Sequence, residues 1–239
     1  MPPEEFFGRQ DIIRLIARDL RAGGSVVVQG LPRSGRSSLL YVLFKNYKQI
    51  EEGALAWLVD LNALNDPGDL VEEFYNAMRV DAGSRVVGDL ARALKGWERR
   101  LVMFLDGADR LIEPPLRDEA LFAMLLSPMQ TRRVSLCLAM TTAPEKLFLD
   151  RASLPLFAHC AVHRLRPFTA QETRQLIEQH LQWTGIAFTD AEMDVIVKQS
   201  GGLAGDVQRL AGLLYEKKKA HLGASGDALR GRASSRRKR

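Results

Sequence analysis

Residues 30–38, GLPRSGRSS, have the spacing of a loop that cradles phosphate, G-x-x-x-x-G-K-[ST]. Glycines at Gly30 and Gly35 let successive backbone N–H groups converge on phosphate oxygens, and the helix that follows adds its positive N-terminal end. Ser37 would supply a hydroxyl to Mg²⁺. Gly30, Arg33, Ser34, Gly35, Arg36, Ser37 and Ser38 are therefore the predicted phosphate contacts. One residue breaks the pattern: Arg36 stands where the motif keeps a lysine. Lysine is a compact point charge that reaches the β- and γ-phosphates. Arginine keeps the charge and can bond phosphate with two N–H groups, but its planar fork is bulkier. Binding should survive this exchange better than phosphoryl transfer, which depends on positioning. The alternative reading is a glycine turn without a ligand.

A second group of residues could do chemistry in LVMFLDGADRL, 101–111. A hydrophobic strand that ends in Asp106 places this carboxylate at the carboxyl edge of a sheet, where it could hold Mg²⁺ directly or through water. Asp109, three positions on, either polarises an attacking water or pairs with Arg110. Thr141–Thr142, at the polar end of VSLCLAMTT, gives a third element. If that strand lies between the loop strand and the acid strand, Thr141 points at the γ-phosphate; otherwise the pair is an ordinary strand end.

Hydrophobic periodicity supplies the elements that position these groups. Residues 10–22 read as an amphipathic helix that ends at Gly23–Gly24. SVVVQG, 25–30, is a β-branched run stopping at glycine, and 37–50 reads as a helix, so the loop sits between a strand and a helix as its motif requires. Further strands are predicted at 54–61, 100–111 running into the acidic residues, 134–142 and 161–165. Helical stretches fall at 68–79, 86–99 and 116–130. Strands that are almost wholly apolar and alternate with helices imply a mostly parallel sheet covered on both faces. After Pro167 the pattern turns helical. Thr169 with Glu172 forms a capping signal, and helices are predicted to 185, at 189–199 and at 205–219.

Composition is that of a chain with a sizeable core: of 239 residues, 46% are hydrophobic and 26% charged. No leader-like or membrane-spanning apolar run is seen, and the two cysteines, Cys137 and Cys160, lie in strand-like stretches, which together suggest a cytoplasmic protein. Net charge is +5, but residues 217–239 alone carry +8 and the other 216 about −3. This Gly-, Ala- and Ser-containing tail should be disordered. Its Arg230, Arg232, Arg236, Arg237, Lys238 and Arg239 suit nucleic-acid phosphates, or serve only as a solubilising end. The domain reading is a core at 1–166, a helical lid at 167–220 and a tail at 221–239. The histidines show no metal-ligand spacing.

The order of parts resembles the AAA+/STAND superfamily of P-loop ATPases, its archaeal-ATPase and origin-recognition-like branches above all. An FFGR box, a phosphate loop, hhhhD-G-x-D, a polar fourth strand and a helical lid with S-G-G occur in sequence over residues 5 to about 219. The resemblance implies a five-stranded parallel P-loop α/β fold with a helical lid, and nucleotide held between the two. It implies that Phe7, Gly8 and Arg9 lie near the adenine and that Asp109 is the catalytic acid of the D-G-x-D motif. Ala204 occupies the lid position where S-G-G-x-P carries proline, and Gly205 the position of a sensor arginine, so the nucleotide site departs from the pattern at both, as it does at Arg36.

These readings converge on an ATP- and Mg²⁺-binding switch with weak or partner-stimulated hydrolysis, working through nucleotide-dependent homo-oligomers, with DNA as a candidate partner and with an unidentified protein partner. The rival is a P-loop scaffold that does not hydrolyse ATP and acts by protein or DNA contact. A GTPase ranks last because no N-K-x-D motif is present.

Overall fold

The computed structural model describes residues 6–81, 83–149 and 154–236. The chain divides into two compact units, Met1–Arg166 and Pro167–Arg239. The first runs α1 (Gln10–Arg21), β1 (Ser25–Gly30), α2 (Arg36–Ile50), β2 (Leu55–Asp60), α3 (Pro67–Met78), α4 (Val87–Lys95), β3 (Leu101–Asp106), α5 (Glu119–Gln130), β4 (Val134–Met140), α6 (Leu154–Ala158) and β5 (Cys160–Leu165). All five strands are parallel, in the order β2-β3-β4-β1-β5. The strand after the acid motif is thus inserted between the loop strand and the acid strand.

Successive strand residues point to opposite faces, and the apolar runs divide accordingly. Val26, Val28, Val102, Phe104, Cys137 and Ala139 pack with α1 and α2. Val27, Leu101, Met103, Leu105, Leu136 and Leu138 pack with α3, α4, α5 and α6. Two apolar layers on one sheet explain why β1, β3 and β4 read as unbroken hydrophobic runs rather than alternating ones.

Element ends differ from the sequence expectation where a cap decides. The helix expected over 86–99 stops at Lys95 because Gly96 caps it. The one expected from 116 starts at Glu119, its first turn held by Asp118, which accepts from Leu121 N. The acid strand ends at Asp106, where Gly107 turns the chain at φ +72°.

A buried polar knot closes the amino edge of the sheet. Arg100 donates to Leu20 O at 2.9 Å and to Ser135 Oγ at 2.6 Å, and Ser135, fully buried, donates to Gly24 O. Glu51 lies 3.6 Å from Arg100 and accepts from Tyr47 Oη at 2.6 Å; burial first, then Glu51, pushes the Tyr47 phenol well above its ordinary value. Arg100→Ala would leave buried acceptors without their donor, and should destabilise the core unit by about 2–4 kcal/mol. Chemical denaturation followed by Trp fluorescence measures this; a loss below about 0.5 kcal/mol would mean water replaces the guanidinium.

The second unit contains α7 (Ala170–Leu181), α8 (Asp190–Ser200) and α9 (Ala204–Arg236). Capping boxes start the first two, Thr169 with Glu172 and Thr189 with Glu192. Gly202, at φ +75°, accepts from Phe168 N at 2.8 Å through its carbonyl, and a Cβ on it would lie 2.0 Å from Phe168 O. Helix α9 continues through the stretch for which the sequence suggested irregular chain from 221. No proline interrupts residues 204–236, and Ala, Leu and Arg there favour helix over the intervening glycines. Arg230, Arg232 and Arg236 fall on this helix; Arg237, Lys238 and Arg239 lie outside the described residues. No helix among the described residues is long and apolar enough to cross a membrane.

Candidate nucleotide-binding site

The loop between β1 and α2 is shaped by two glycines. Gly35, left-handed at φ +94°, is the N-cap of α2 and offers no side chain to its first N–H groups. Those of Arg36, Ser37 and Ser38 consequently have no intrahelical partner and face the loop. At Gly30 an added Cβ would meet Ser34 Oγ at 2.6 Å and Leu165 Cβ at 3.1 Å, so only glycine lets the loop fold this closely. Ser34 N donates to Leu31 O at 3.1 Å, and Arg33 holds a left-handed φ of +64°. Ser34 is 1% exposed, and its Oγ has no hydrogen-bond partner. Ser37 and Ser38 are exposed on the first turn of α2.

Both predicted acids stand at the carboxyl edge of the sheet. Asp106, the last residue of β3, accepts from Gly107 N at 3.0 Å and lies in register with Asp60, the last residue of β2. Asp109 reaches across to the end of β4. Its Oδ2 accepts from Thr141 N at 2.7 Å and its Oδ1 from Thr142 N at 2.8 Å. Arg36 Nη1 stands 3.9 Å from Asp109 Oδ2. The ion pair therefore forms with Arg36, not with Arg110. Burial alone would raise the Asp109 pKa, but the Thr141 and Thr142 hydrogen bonds, the Thr142 hydroxyl included, and the Arg36 charge together hold it below the usual carboxylate range. Thr141 is fixed at both backbone ends, since its carbonyl accepts from Gln29 Nε2 at 3.0 Å.

The FFGR segment comes to the same side of the core unit. Gly8 turns at φ +64°, Arg9 precedes α1, and the buried Arg9 guanidinium donates to Arg166 O at 2.8 Å. Arg166 follows Leu165, which pairs with Gly30 in the β1–β5 ladder. Phe7 is half-buried beside this turn. The loop, the acids, Thr141 and the FFGR box are thus all features of one unit. Ala204 is the first residue of α9 in the other.

Thr142, named with Thr141 as the polar strand end, holds Asp109 together with it. Sequence reasoning missed two residues. Asp60 accepts from Asn62 N and Nδ2, at 3.0 and 2.9 Å, and the Asn62 amide fills the space a Cβ on Gly107 would need. Gln29 ties β1 to the end of β4. The signal for Asp60 was present, since LAWLVD ends in aspartate just as LVMFLD does.

These residues fit a Mg²⁺–nucleotide. The loop presents unpaired helix-terminal N–H groups and an orphaned Ser34 hydroxyl, while Ser37 and Asp106 offer oxygen ligands. No cluster of three or more His, Cys, Asp or Glu able to hold a metal occurs among the described residues. Mg²⁺ binds through one or two protein oxygens plus substrate phosphates, the kind of oxygen that Ser37 and Asp106 carry.

A protein-family model, novel STAND NTPase 1, matches residues 3–221. The chain belongs to the novel STAND NTPase 1 family. No curated protein matches it. Among solved structures, this STAND NTPase is similar to the ORC2 protein of Aeropyrum pernix in ADPNP–ADP complexes: TM-score 0.70, 14% identity, over 94% of this chain and 66% of that one. It is also similar to the ORC1 protein of Aeropyrum pernix in complex with DNA, with TM-score 0.70 and 16% identity over 89% of this chain and 61% of that one. A RuvB mutant of Thermotoga maritima gives TM-score 0.59 and 19% identity over 88% and 63%. At these identities the likeness shows the fold, that of AAA+ P-loop proteins, and the chain spans less than two thirds of each of these structures.

Proposed function

We propose that this STAND NTPase is an ATP-binding switch with weak or partner-stimulated hydrolysis, which assembles with copies of itself when nucleotide is bound. The observation that carries this reading is the loop between β1 and α2, with its open helix N-terminus, with Asp106 at the end of β3 and with Asp109 bonded to the backbone at the end of β4. Bound Mg²⁺–ATP would supply the phosphoanhydride and a divalent charge. The chain's own residues do the rest: the N–H groups of 35–38 and the Arg36 guanidinium bind phosphate, and Ser37 and Asp106 hold the metal. Phe7, Gly8 and Arg9 lie toward the base. Asp109 orients water with its remaining lone pairs, and Thr141 senses the terminal phosphate. The complexes named for the ORC proteins, with ADPNP and ADP and with DNA, support nucleotide binding and make DNA a candidate partner of the basic C-terminal segment.

A second reading is favoured by one contact. Arg36 lies toward Asp109, and if it keeps that place when nucleotide is bound, the chain is a scaffold that holds ATP without cleaving it. Titration calorimetry with Mg²⁺–ATP, with phosphate release followed in the same samples, separates the two. We expect binding with slow release, and about tenfold or faster release in Arg36→Lys, because a lysine leaves Asp109 free once it engages phosphate. Binding with no release by either protein would support the scaffold; no binding by either would remove the nucleotide reading.

A further inference from the structure

We propose that the amino edge of the core sheet, opposite the phosphate loop, is a docking surface for the phosphate backbone of duplex DNA. In a parallel sheet the segments that lead into the strands share one edge. Those leading into the neighbouring strands β3, β4 and β1 bring together Lys95 and Arg99, then Arg132 and Arg133, then Arg21. Adjacent strands lie about 4.8 Å apart, so the three segments span roughly 10 Å. A DNA strand carries a charge every ~3.4 Å along the axis, which matches two or three successive phosphates. All five side chains are exposed, and none is in an ion pair with a described residue. The acids nearby are Glu98, Glu52, Glu51, which is tied to Arg100 and Tyr47, and Asp19, which is held by Arg18 and His163. A chain whose first 216 residues sum to about −3 therefore concentrates positive charge on one edge of its core.

Arg132 is the left-handed residue that ends α5: its φ is +59°, its N–H donates to Met129 O at 2.9 Å, and Arg133 N donates to Pro128 O at 3.0 Å. Its stem lies on Gly23, where a Cβ would be 2.7 Å from Arg132 Cβ, which brings the β4 loop against the β1 loop. Arg133 donates to Lys95 O at 2.9 Å, fixing the β4 loop to the end of α4. Beside them a cavity of about 310 Å³ lies between α4 and α5, with Leu94, Met124 and Pro128 in its wall and Lys95 and Arg133 at its rim. A membrane is a poorer fit, because the exposed large apolar side chains of this unit, Leu15, Leu31, Tyr41, Val80 and Val86, lie outside these segments.

This surface shares its partner class with the proposed role of the C-terminal arginines, and the test separates the two. Anisotropy of a fluorescent duplex of about 25 base pairs, measured with the full chain between 50 and 200 mM KCl, gives the salt slope. One triple variant is Arg21→Ala, Arg99→Ala, Arg132→Gly, the glycine preserving the left-handed backbone; the other is Arg230→Ala, Arg232→Ala, Arg236→Ala. The edge variant should lower the salt slope by about 2–3 and weaken binding at least ~10-fold, with its melting curve and ATP affinity unchanged, and Arg132→Lys alone should retain binding. The inference is overturned if the edge variant keeps the wild-type slope, if only the C-terminal variant loses binding, if wild type binds no duplex, or if it binds only phosphatidylserine vesicles.

Discussion

Asp109→Asn is expected to lower ATP turnover by about 10²–10⁴-fold, the usual contribution of a group that orients or accepts a proton, with ATP affinity within a few-fold. The substitution keeps the shape of the side chain and removes its charge. One amide oxygen can still accept from Thr141 N or Thr142 N, but the NH₂ cannot accept from the other, and Arg36 loses its anion. Single-turnover phosphate release beside calorimetric binding reads both quantities. Turnover equal to wild type would take Asp109 out of the chemistry and leave it as the anchor of the β4 end.

The same residue gives a pH signature. Its folded pKa is below the ordinary value of ~3.9, so its hydrogen bonds add stability above that pH, and the contribution is lost as pH falls through the lowered folded value. Acid denaturation of wild type should therefore include a component that Asp109→Asn lacks. That difference is absent if the carboxylate does not keep its backbone donors in solution.

Gly202→Ala should have the largest effect on stability, about 3 kcal/mol or more for the second unit. The added Cβ would sit 2.0 Å from Phe168 O, a backbone atom that cannot swing away as a side chain would, and the left-handed φ adds its own cost. Moving either backbone also breaks the bond from Phe168 N to Gly202 O. Gly201 is an internal control. It too is left-handed, at φ +55°, but a Cβ there meets nothing within 4 Å, so Gly201→Ala should cost only about 1–2 kcal/mol. Limited proteolysis of residues 167–220, with circular dichroism melting, compares the variants. Equal losses would mean that the close contact at Gly202 relaxes without cost.

Much of this architecture was legible because single residues carry it. Apolar runs ending in glycine or aspartate mark β1 and β3, and the glycine spacing at 30–35 locates the loop. The place of β4 between them was left as a condition by its polar end and is decided by the strand order. What stayed hidden depends on contacts between residues far apart in the chain. Arg9 finds its acceptor 157 positions away at Arg166, and the Asp109 donors are backbone groups 32 and 33 positions off, which no side-chain pattern announces. Basic residues at 21, 95–99 and 132–133 become neighbours only when three strands lie side by side, so summed charge pointed to the tail alone. Helix α9 outran its sequence boundary because scattered glycines weaken a helix without ending it.

The two native thiols have a practical consequence. Burial drives Cys137 far above its ordinary pKa and pushes Cys160 up to about 12, so neither forms appreciable thiolate at neutral pH. Since thiolate is the form that maleimides and iodoacetamides attack, the wild-type chain should label poorly. The chain is thus already a quiet background for site-specific dyes. A cysteine placed at Trp183, a residue that is 88% exposed, would report on the helical unit alone, and one at Ser38 on the phosphate loop, without first replacing buried Cys137 or half-buried Cys160.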